Sequence, residues 1–183
     1  MKLIVITWLP CTGKTTLWKQ LSEKYNLPFY SKDAIKEIMF DFIWSKKEVW
    51  KEKLSKSWYE ILYYILEQNL KTNNNIILES NFIPEFSNKV FNDFKQKYDF
   101  DIFQIMCNTK WEVLFKRFKE RSFWINRHPW HDDKNNIKSW KSILLKWKID
   151  SLDIWWELCN LDTTDFSKIN YDYLYKWINK FLK

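Results

Sequence analysis

Glycine is nearly absent from the sequence: the 183-residue chain has one, Gly13, beside four prolines and three cysteines. No apolar stretch approaches the roughly 18 residues of a membrane-spanning helix, and the apolar run 3–9 is too short for the core of a secretory signal. Cys11, Cys107 and Cys159 are scattered without the spacing of a metal site or a disulfide framework. These shortages argue against membrane proteins and disulfide-rich secreted proteins, and they predict a soluble protein of the reducing cytoplasm.

Arginine and alanine are scarce as well. Lysine and arginine together number 30, and the arginines among them are Arg117, Arg121 and Arg127, so the net charge of +7 comes almost entirely from lysine. Such a bias is typical of an A/T-rich gene, and the charge is therefore weak evidence for nucleic-acid binding. It does fit an anionic substrate such as a nucleotide.

Tryptophan, in contrast, occurs 13 times. Counted as glycine, these residues would raise the glycine content to roughly 8%, close to the ordinary ~7%. Several of them also stand where glycine is expected, at the ends of predicted strands or helices or in a turn: Trp8, Trp44, Trp130, Trp155 and Trp156. We hypothesise that most or all of the tryptophans are UGA codons that the source organism translates as glycine.

The alternative is a genuinely tryptophan-rich protein, whose indoles would lie on apolar faces, as Trp58 and Trp177 could do. The coding DNA distinguishes the two, because UGG codons at these positions would rule out the recoding hypothesis.

Hydrophobic periodicity predicts strands that alternate with helices along the whole chain. The predicted strands are 2–9, 28–30, 76–80, 101–107 and 157–161. The predicted helices are 13–25, 34–43, about 48–71, 84–97, 110–121, about 137–148 and 171–182. This alternation predicts an α/β fold in three layers, with a five-stranded parallel sheet covered on both faces. We expect one domain over 1–183, with a small lid at about 122–136.

Residues 4–17, IVITWLPCTGKTTL, combine a buried strand with the start of a helix. They match the phosphate-binding loop G-x-x-x-x-G-K-[ST], except that Trp8 stands where the first glycine belongs. In this motif backbone amides surround the phosphates, Lys14 bridges the β- and γ-phosphates, and the Thr15 hydroxyl holds Mg²⁺. The predicted nucleotide-binding residues of the loop are Trp8, Leu9, Pro10, Cys11, Thr12, Gly13, Lys14, Thr15 and Thr16.

Carboxylates follow two further strands, at the sheet edge that the loop should share. Asp33 is the predicted catalytic base that accepts the proton of an attacking hydroxyl, or else a first-turn acid that complements a helix dipole. Glu79 could hold Mg²⁺ through water or contact the substrate; the alternative is that Glu79 and Ser80 are a polar pair at a strand end. No clear Walker-B aspartate is visible.

All three arginines fall within residues 117–127. Guanidinium groups bind phosphates in bidentate fashion and stack on adenine, so Arg117 is predicted to bind the nucleotide. Arg121 and Arg127 are predicted to contact phosphate during catalysis; the alternative is a solvated helix face. His128 and His131 flank Pro-Trp in a predicted loop, and the chain has no other histidine, which argues against zinc. They are predicted to contact substrate or to pack within the lid.

Six segments occur in order over nearly the whole chain: TGLPCTGKTTL and RHPGH (with Trp8 and Trp130 replaced by glycine), SKDAIKE, IILESNF, EVLFKRFKER and LDTTD. With them the sequence resembles the small P-loop kinase-like proteins usually labelled AAA-family ATPases. These proteins are related to polynucleotide 5′-kinases, zeta-toxin-like kinases and chloramphenicol phosphotransferase-like enzymes. The resemblance is to this kinase branch and not to ring-forming motors.

The resemblance implies a five-stranded parallel sheet, a mobile arginine-bearing lid and transfer of the ATP γ-phosphate to a hydroxyl. It implies that Lys14 and Thr15 bind ATP and Mg²⁺, that Asp33 activates the acceptor, and that Arg121 and Arg127 belong to the lid. The expected acceptor is a hydroxyl of a small molecule or of a nucleic-acid end, and the expected state is a monomer or weak dimer. Two alternatives remain, a P-loop ATPase that acts as a nucleotide-driven switch and a non-catalytic basic RNA-binding protein.

Overall fold

The computed structural model describes residues 1–43, 50–146, 150–154 and 156–183. Its strands are β1 (Lys2–Thr7), β2 (Phe29–Ser31), β3 (Ile76–Glu79), β4 (Asp101–Asn108) and β5 (Trp156–Asp162). Its α-helices are α1 (Lys14–Tyr25), α2 (Lys32–Ile43), α3 (Trp50–Lys71), α4 (Pro84–Lys97), α5 (Trp111–Ser122), α6 (Ile137–Lys146) and α7 (Tyr171–Phe181). Predictions that concern Trp44, 48–49, 147–148 and Trp155 lie outside the described residues.

The five strands form one parallel sheet in the order β2-β3-β1-β4-β5. The β1 strand lies at its centre, and Ile6 of β1 is paired with Glu79 of β3 on one side and Ile105 of β4 on the other. The predicted α/β fold with a five-stranded parallel sheet is therefore confirmed.

Successive side chains of β1 enter opposite layers of the core, as the period of a strand requires. Leu3 and Val5 pack in a cluster with Leu66 of α3 and Phe91 of α4. On the other face the buried residues come from β1, α1 and α7, namely Ile4, Ile6, Leu17, Leu21, Leu174 and Ile178. The sheet is covered by helices on both faces, which is the three-layer arrangement predicted from the sequence.

Since all strands are parallel, their carboxyl ends lie at one edge of the sheet. Thr7, Ser31 and Glu79 end β1, β2 and β3 at this edge. Asp33 lies two residues beyond β2, as expected for a carboxylate that follows this strand, but it lies within the first turn of α2 and not before a helix that begins at residue 34. The difference arises because α2 begins directly after β2, without a connecting loop.

The predicted lid region 122–136 consists of turns and one short 3-10 helix, Pro129–His131. It lies between α5 and α6, whose residues Leu114, Phe118 and Leu144 form a third buried cluster with Leu9. No helix among the described residues has the length and apolar character needed to cross a membrane.

Candidate functional site

The loop between β1 and α1 curls back on itself before the helix begins. The Thr12 hydroxyl donates to the Leu9 carbonyl oxygen (3.0 Å), and the amides of Thr16 and Leu17 donate to the Gly13 carbonyl oxygen (3.1 Å each). The amide groups of residues 11–15 have no hydrogen-bond acceptor among the residues that the structure describes. A curve of free N–H groups at a helix N-terminus is an anion-binding geometry.

Gly13 is fixed as glycine by its backbone and by its neighbour. Its φ is +88°, a left-handed conformation that L side chains rarely adopt. A Cβ at this position would also lie 2.5 Å from Cε1 of Phe166. The close approach of an aromatic ring to the loop therefore depends on the absence of a side chain at residue 13.

Residue 8 has the backbone that the motif predicts for glycine, although it carries an indole. The φ of Trp8 is +133°, a region in which a bulky residue is strained by about 1–3 kcal/mol. Among the described tryptophans Trp8 is the only one with a positive φ. At the predicted Pro-Gly turn a 3-10 helix spans Pro129–His131, and the left-handed residue is Asp132 (φ +44°), so the backbone of Trp130 does not itself require glycine.

We expect W8G to be more stable than W8A by about 1–2 kcal/mol, the cost of holding a residue with a Cβ in a left-handed conformation. Both variants remove the same indole, so they differ in backbone strain and not in lost packing. At ordinary positions alanine is the more stable of the two. Urea unfolding of both variants measures the difference, and equal stabilities, or a more stable W8A, would show that residue 8 does not require glycine.

Lys14 lies inside the curve of the loop and is buried. Its Nζ donates to the carbonyl oxygens of Trp8 (3.0 Å) and Leu9 (2.7 Å), and it lies 3.6 Å from Oε1 of Glu79. The ammonium group is thus held beneath the free amides of the loop.

Glu79 is buried at the end of β3. Its Oε2 accepts a hydrogen bond from the Ser31 hydroxyl (2.6 Å). Thr15, in the first turn of α1, and Glu79 border the same cavity. Hydroxyl and carboxylate oxygens are the donors that Mg²⁺ prefers, with waters and phosphates completing its shell, so these two residues fit the predicted metal site.

Asp33 is half exposed and forms an ion pair with Lys36, with 3.3 Å between Oδ1 and Nζ. Enclosure by the cleft walls favours its neutral form, but the ammonium groups of Lys36 and Lys32 outweigh this and hold the pKa of Asp33 below its ordinary value. Asp33 is therefore ionised at neutral pH and can accept a hydrogen bond or a proton.

Arg117 reaches from α5 to the segment after β5. Its guanidinium donates to the carbonyl oxygens of Thr163 (2.8 Å) and Thr164 (2.9 Å) and lies 3.9 Å from the centre of the Phe166 ring. The Phe166 ring lies against Gly13 of the loop, and Arg117 and Gly13 border the same cavity. Such a pair of flat groups is suited to stacking on a nucleobase.

Arg121 and Arg127 both contact the buried carboxylate of Asp133. The distances to its Oδ2 are 3.4 Å from Nη2 of Arg121 and 2.7 Å from Nε of Arg127. The Nε of Arg121 is buried and has no hydrogen-bond partner among the described residues. The structure thus brings both arginines together, as predicted, but on a carboxylate that sequence reasoning did not identify.

The histidines of the predicted lid contact carboxylates of α2. Nε2 of His131 lies 2.8 Å from Oε1 of Glu37, and Nε2 of His128 lies 3.2 Å from Oδ1 of Asp41. Burial lowers the pKa of His131 despite its carboxylate partner. The predicted lid therefore packs on the helix that carries Asp33.

These residues line two adjoining cavities. The first, which we call the Arg117 cavity, has a volume of about 500 Å³ and is bordered by the loop, Arg117 and Phe166. The second, the Lys32 cavity, has a volume of about 250 Å³ and is bordered by Lys32, Lys36 and Asn81. Both are also lined by a shared set of residues: Pro10, Lys14, Asp33, Glu79, Arg121, Arg127 and His131.

Sequence reasoning missed Phe166, Asp133, Lys32 and Lys36 as site residues. Phe166 directly follows the LDTTD segment. That motif does not indicate that the ring of Phe166 approaches the loop. Lys32 and Lys36 flank the predicted base in SKDAIKE, and their spacing of four residues places them on one helix face. That spacing could have identified them.

Comparison with known proteins agrees with this geometry. The AAA_33 family, an AAA domain, matches residues 3–142, and the chain belongs to this family. A candidate kinase from Chloroflexus aurantiacus is 30% identical, with a TM-score of 0.82, 99% of this chain covered and 95% of that one. None of the curated proteins with which the chain was compared matches it.

More distant structures share the fold. A sugar kinase from Janibacter sp. HTCC2649 is 12% identical with a TM-score of 0.58, with coverage of 99% of this chain and 93% of that one. A chain of the Pnkp1/Rnl/Hen1 RNA repair complex is 17% identical with a TM-score of 0.51, covering 81% of this chain and 47% of that one. The protein is a P-loop domain of the kinase-like type.

Proposed function

We propose that the protein is an ATP-dependent phosphotransferase that moves the γ-phosphate of ATP to a hydroxyl of a small molecule or of a nucleic-acid end. The observation that carries this proposal is that the free amides of the loop border the Arg117 cavity, while Lys14 and the carboxylate of Asp33 border both adjoining cavities. A nucleotide in one cavity and an acceptor in the other would meet between Lys14 and Asp33.

The Arg117 cavity is the proposed nucleotide site. The triphosphate would lie on the free amides of residues 11–15, where helix α1 adds its positive N-terminal end. The base would stack at Arg117 and Phe166, whose ring already contacts the guanidinium at 3.9 Å. The cavity volume of about 500 Å³ is in the range of sites for such ligands.

Thr15 and Glu79 would hold Mg²⁺, the first directly and the second through water. A bound Mg²⁺ would neutralise phosphate charge in the transition state. Lys14 would add its charge at the β- and γ-phosphates, and its position beneath the loop supports this role.

In the proposed reaction the acceptor oxygen forms a bond to the γ-phosphorus while the bond from that phosphorus to the β–γ bridging oxygen breaks. ADP leaves, and the hydroxyl proton passes to the carboxylate of Asp33. Phosphoryl transfer needs positioning and charge neutralisation more than covalent chemistry. Asp33, held beside the loop, would orient the acceptor as well as take its proton.

Arg121 and Arg127 would neutralise the transferring phosphoryl group. Both line the two cavities, and the buried Nε of Arg121 is a donor for which the described residues offer no acceptor. Asp133 would keep both guanidinium groups aimed at the cleft. The three free cysteines support a place in the reducing cytoplasm.

Incubation with γ-labelled ATP and a panel of hydroxyl compounds tests the proposal, using both the chain as written and a version with glycine at the tryptophan positions. The panel contains nucleosides, RNA 5′ ends, sugars, sugar acids and antibiotics. We expect label to appear in one class of acceptor. Nucleotide hydrolysis without transfer to any acceptor would instead support a switch ATPase, and binding of RNA without hydrolysis would support an RNA-binding protein.

A further inference from the structure

The Lys32 cavity contains an ammonium group whose charge no carboxylate directly matches. Lys32 is 6% exposed, and its Nζ donates to the Tyr59 hydroxyl oxygen (3.2 Å) and to Oδ1 of Asn81. Both acceptors are neutral, and no ion pair joins Lys32 to a carboxylate among the described residues. A buried cation without a paired anion is costly to fold, so its presence indicates a binding role.

A second ammonium lies one helical turn away, on Lys36. Its side chain is 16% exposed and lies over the indole of Trp58, with Nζ 4.8 Å from the ring centre. Burial lowers the pKa of both lysines, and the Lys32 ammonium further lowers the pKa of Lys36. Two ammonium groups that border one cavity repel each other, and a bound anion would offset this repulsion.

The other lysine and arginine side chains of the cavity wall each lie beside a carboxylate. Lys14 lies beside Glu79, and the two arginines share Asp133. Lys36 is paired with the half-exposed Asp33, so the charge of Lys32 is in excess, in addition to the one positive charge left by two arginines on one carboxylate. The excess lies on the side of Asp33 away from Arg117, because Lys32 and Lys36 border the Lys32 cavity and not the Arg117 cavity.

We propose that Lys32 and Lys36 form a binding site for a carboxylate or phosphate group on the acceptor, so that the substrate is a small hydroxy acid or phosphorylated alcohol. This inference rests on the proposed phosphotransferase function and specifies its acceptor. With the anion on both ammonium groups, a neighbouring hydroxyl would face Asp33, which would then be released from its ion pair with Lys36.

The size of the cavity favours a small molecule over a polymer. Its volume of about 250 Å³ equals about eight water molecules at ~30 Å³ each. With tryptophan at residues 8, 130 and 140, which line the cavity, that space suits an acid of on the order of ten to fifteen non-hydrogen atoms and is just below the ~300 Å³ of small ligand sites. Glycine at these positions would leave a larger cavity. A nucleic-acid end is therefore the less favoured acceptor.

The first test measures anion binding without any reaction. The full chain is saturated with Mg·ADP, so that the loop is occupied, and titrated calorimetrically with sulfate at constant ionic strength in chloride. We expect saturable binding that weakens at least ~10-fold in K32M and in K36M, since each variant removes a charged hydrogen-bond donor. Methionine is of similar length and removes a buried charge, so both variants should fold.

K89M is the matched control, because Lys89 is 83% exposed on α4 and pairs with Asp93. It should bind sulfate like the parent protein. Sulfate that does not saturate, or that binds equally well to K32M and K36M, would overturn the inference whether or not the protein transfers phosphate.

The second test compares acids with their neutral counterparts as acceptors: gluconate with glucose, glycerate with glycerol, and sugar phosphates with sugars. Label from γ-labelled ATP should enter acids, and K32M and K36M should raise the KM for the acid by about 10–100-fold with the KM for ATP unchanged. A comparison of sugar acids with sugar phosphates shows whether the two lysines bind a carboxylate or a phosphate group of the acceptor. Equal use of neutral compounds, or preference for an RNA 5′ end, would overturn the inference and leave the phosphotransferase standing, whereas the absence of any transfer would overturn both.

Discussion

Replacing Asp33 with asparagine is expected to reduce phosphoryl transfer by about 10²–10⁴-fold, the usual contribution of a general base. Asparagine keeps the shape of the side chain but cannot take the proton of the acceptor. Because Asp33 is half exposed and its ion pair with Lys36 is partly solvated, folding should be little affected. Nucleotide affinity, measured by titration with Mg·ADP, should stay close to that of the parent protein.

D93N is the control for this substitution. Asp93 also pairs with a lysine on its own helix, with 3.0 Å between Oδ2 and the Nζ of Lys89, but it lies on α4. Its transfer rate should equal that of the parent protein. If D33N kept more than a tenth of the parental rate, Asp33 would not be the base. The alternative of an ATPase that acts as a nucleotide-driven switch would then gain support.

The lowered pKa of Asp33 also sets the direction of its pH dependence. A carboxyl whose folded-state pKa is depressed stays ionised until the pH falls below the ordinary value near 3.8. The acidic loss of activity that depends on Asp33 should therefore begin below that pH. An anionic acceptor that binds Lys36 would move the onset of this loss to higher pH, because Asp33 would lose its nearest cation.

Replacing Lys14 with methionine is expected to reduce transfer by about 10²–10³-fold, the effect of removing a charged group from a developing phosphoryl charge. The Nζ of Lys14 lies within hydrogen-bond distance of two loop carbonyl oxygens, so its charge is fixed where the phosphates would lie. Weaker binding of Mg·ADP should accompany the slower transfer. The rate with γ-labelled ATP and calorimetry of nucleotide binding measure the two effects.

K14M also removes the cation beside the buried Glu79, which should lower stability. The double variant K14M/E79Q removes both charges, and we expect it to recover stability but not transfer. K19M, an exposed lysine of the same helix, is the matched control and should behave like the parent protein. Recovery of transfer in K14M/E79Q would show that the lysine acts through folding alone.

Much of the fold could be predicted because its helices and strands have strongly periodic hydrophobic patterns, which are set by residues close together in the sequence. The predicted helix 84–97 has the bounds of α4, and the predicted strand 101–107 is β4 without its last residue. Parallel pairing followed from the alternation of strands and helices. The predicted start of the second helix at residue 34 was two residues late, since the transition from β2 to α2 within one residue leaves no local signal.

The site was predictable where it depends on one segment and unpredictable where it depends on several. The loop around Gly13 is specified by a local motif, and so is the left-handed backbone of residue 8. The approach of Phe166 to Gly13 joins residues more than 150 positions apart, which no periodicity reveals. The contacts of Lys32 with Tyr59 and Asn81 likewise depend on how α2 packs against α3.

The central place of β1 in the sheet has a consequence for the loop that follows it. Hydrogen bonds to neighbours on both sides protect Lys2–Thr7, and such a strand opens to solvent only when the whole domain unfolds. The unpaired amides of residues 11–15 begin four positions later. The loop that carries these amides is thus joined, through residues 8–10, to a strand that is held by hydrogen bonds on both sides.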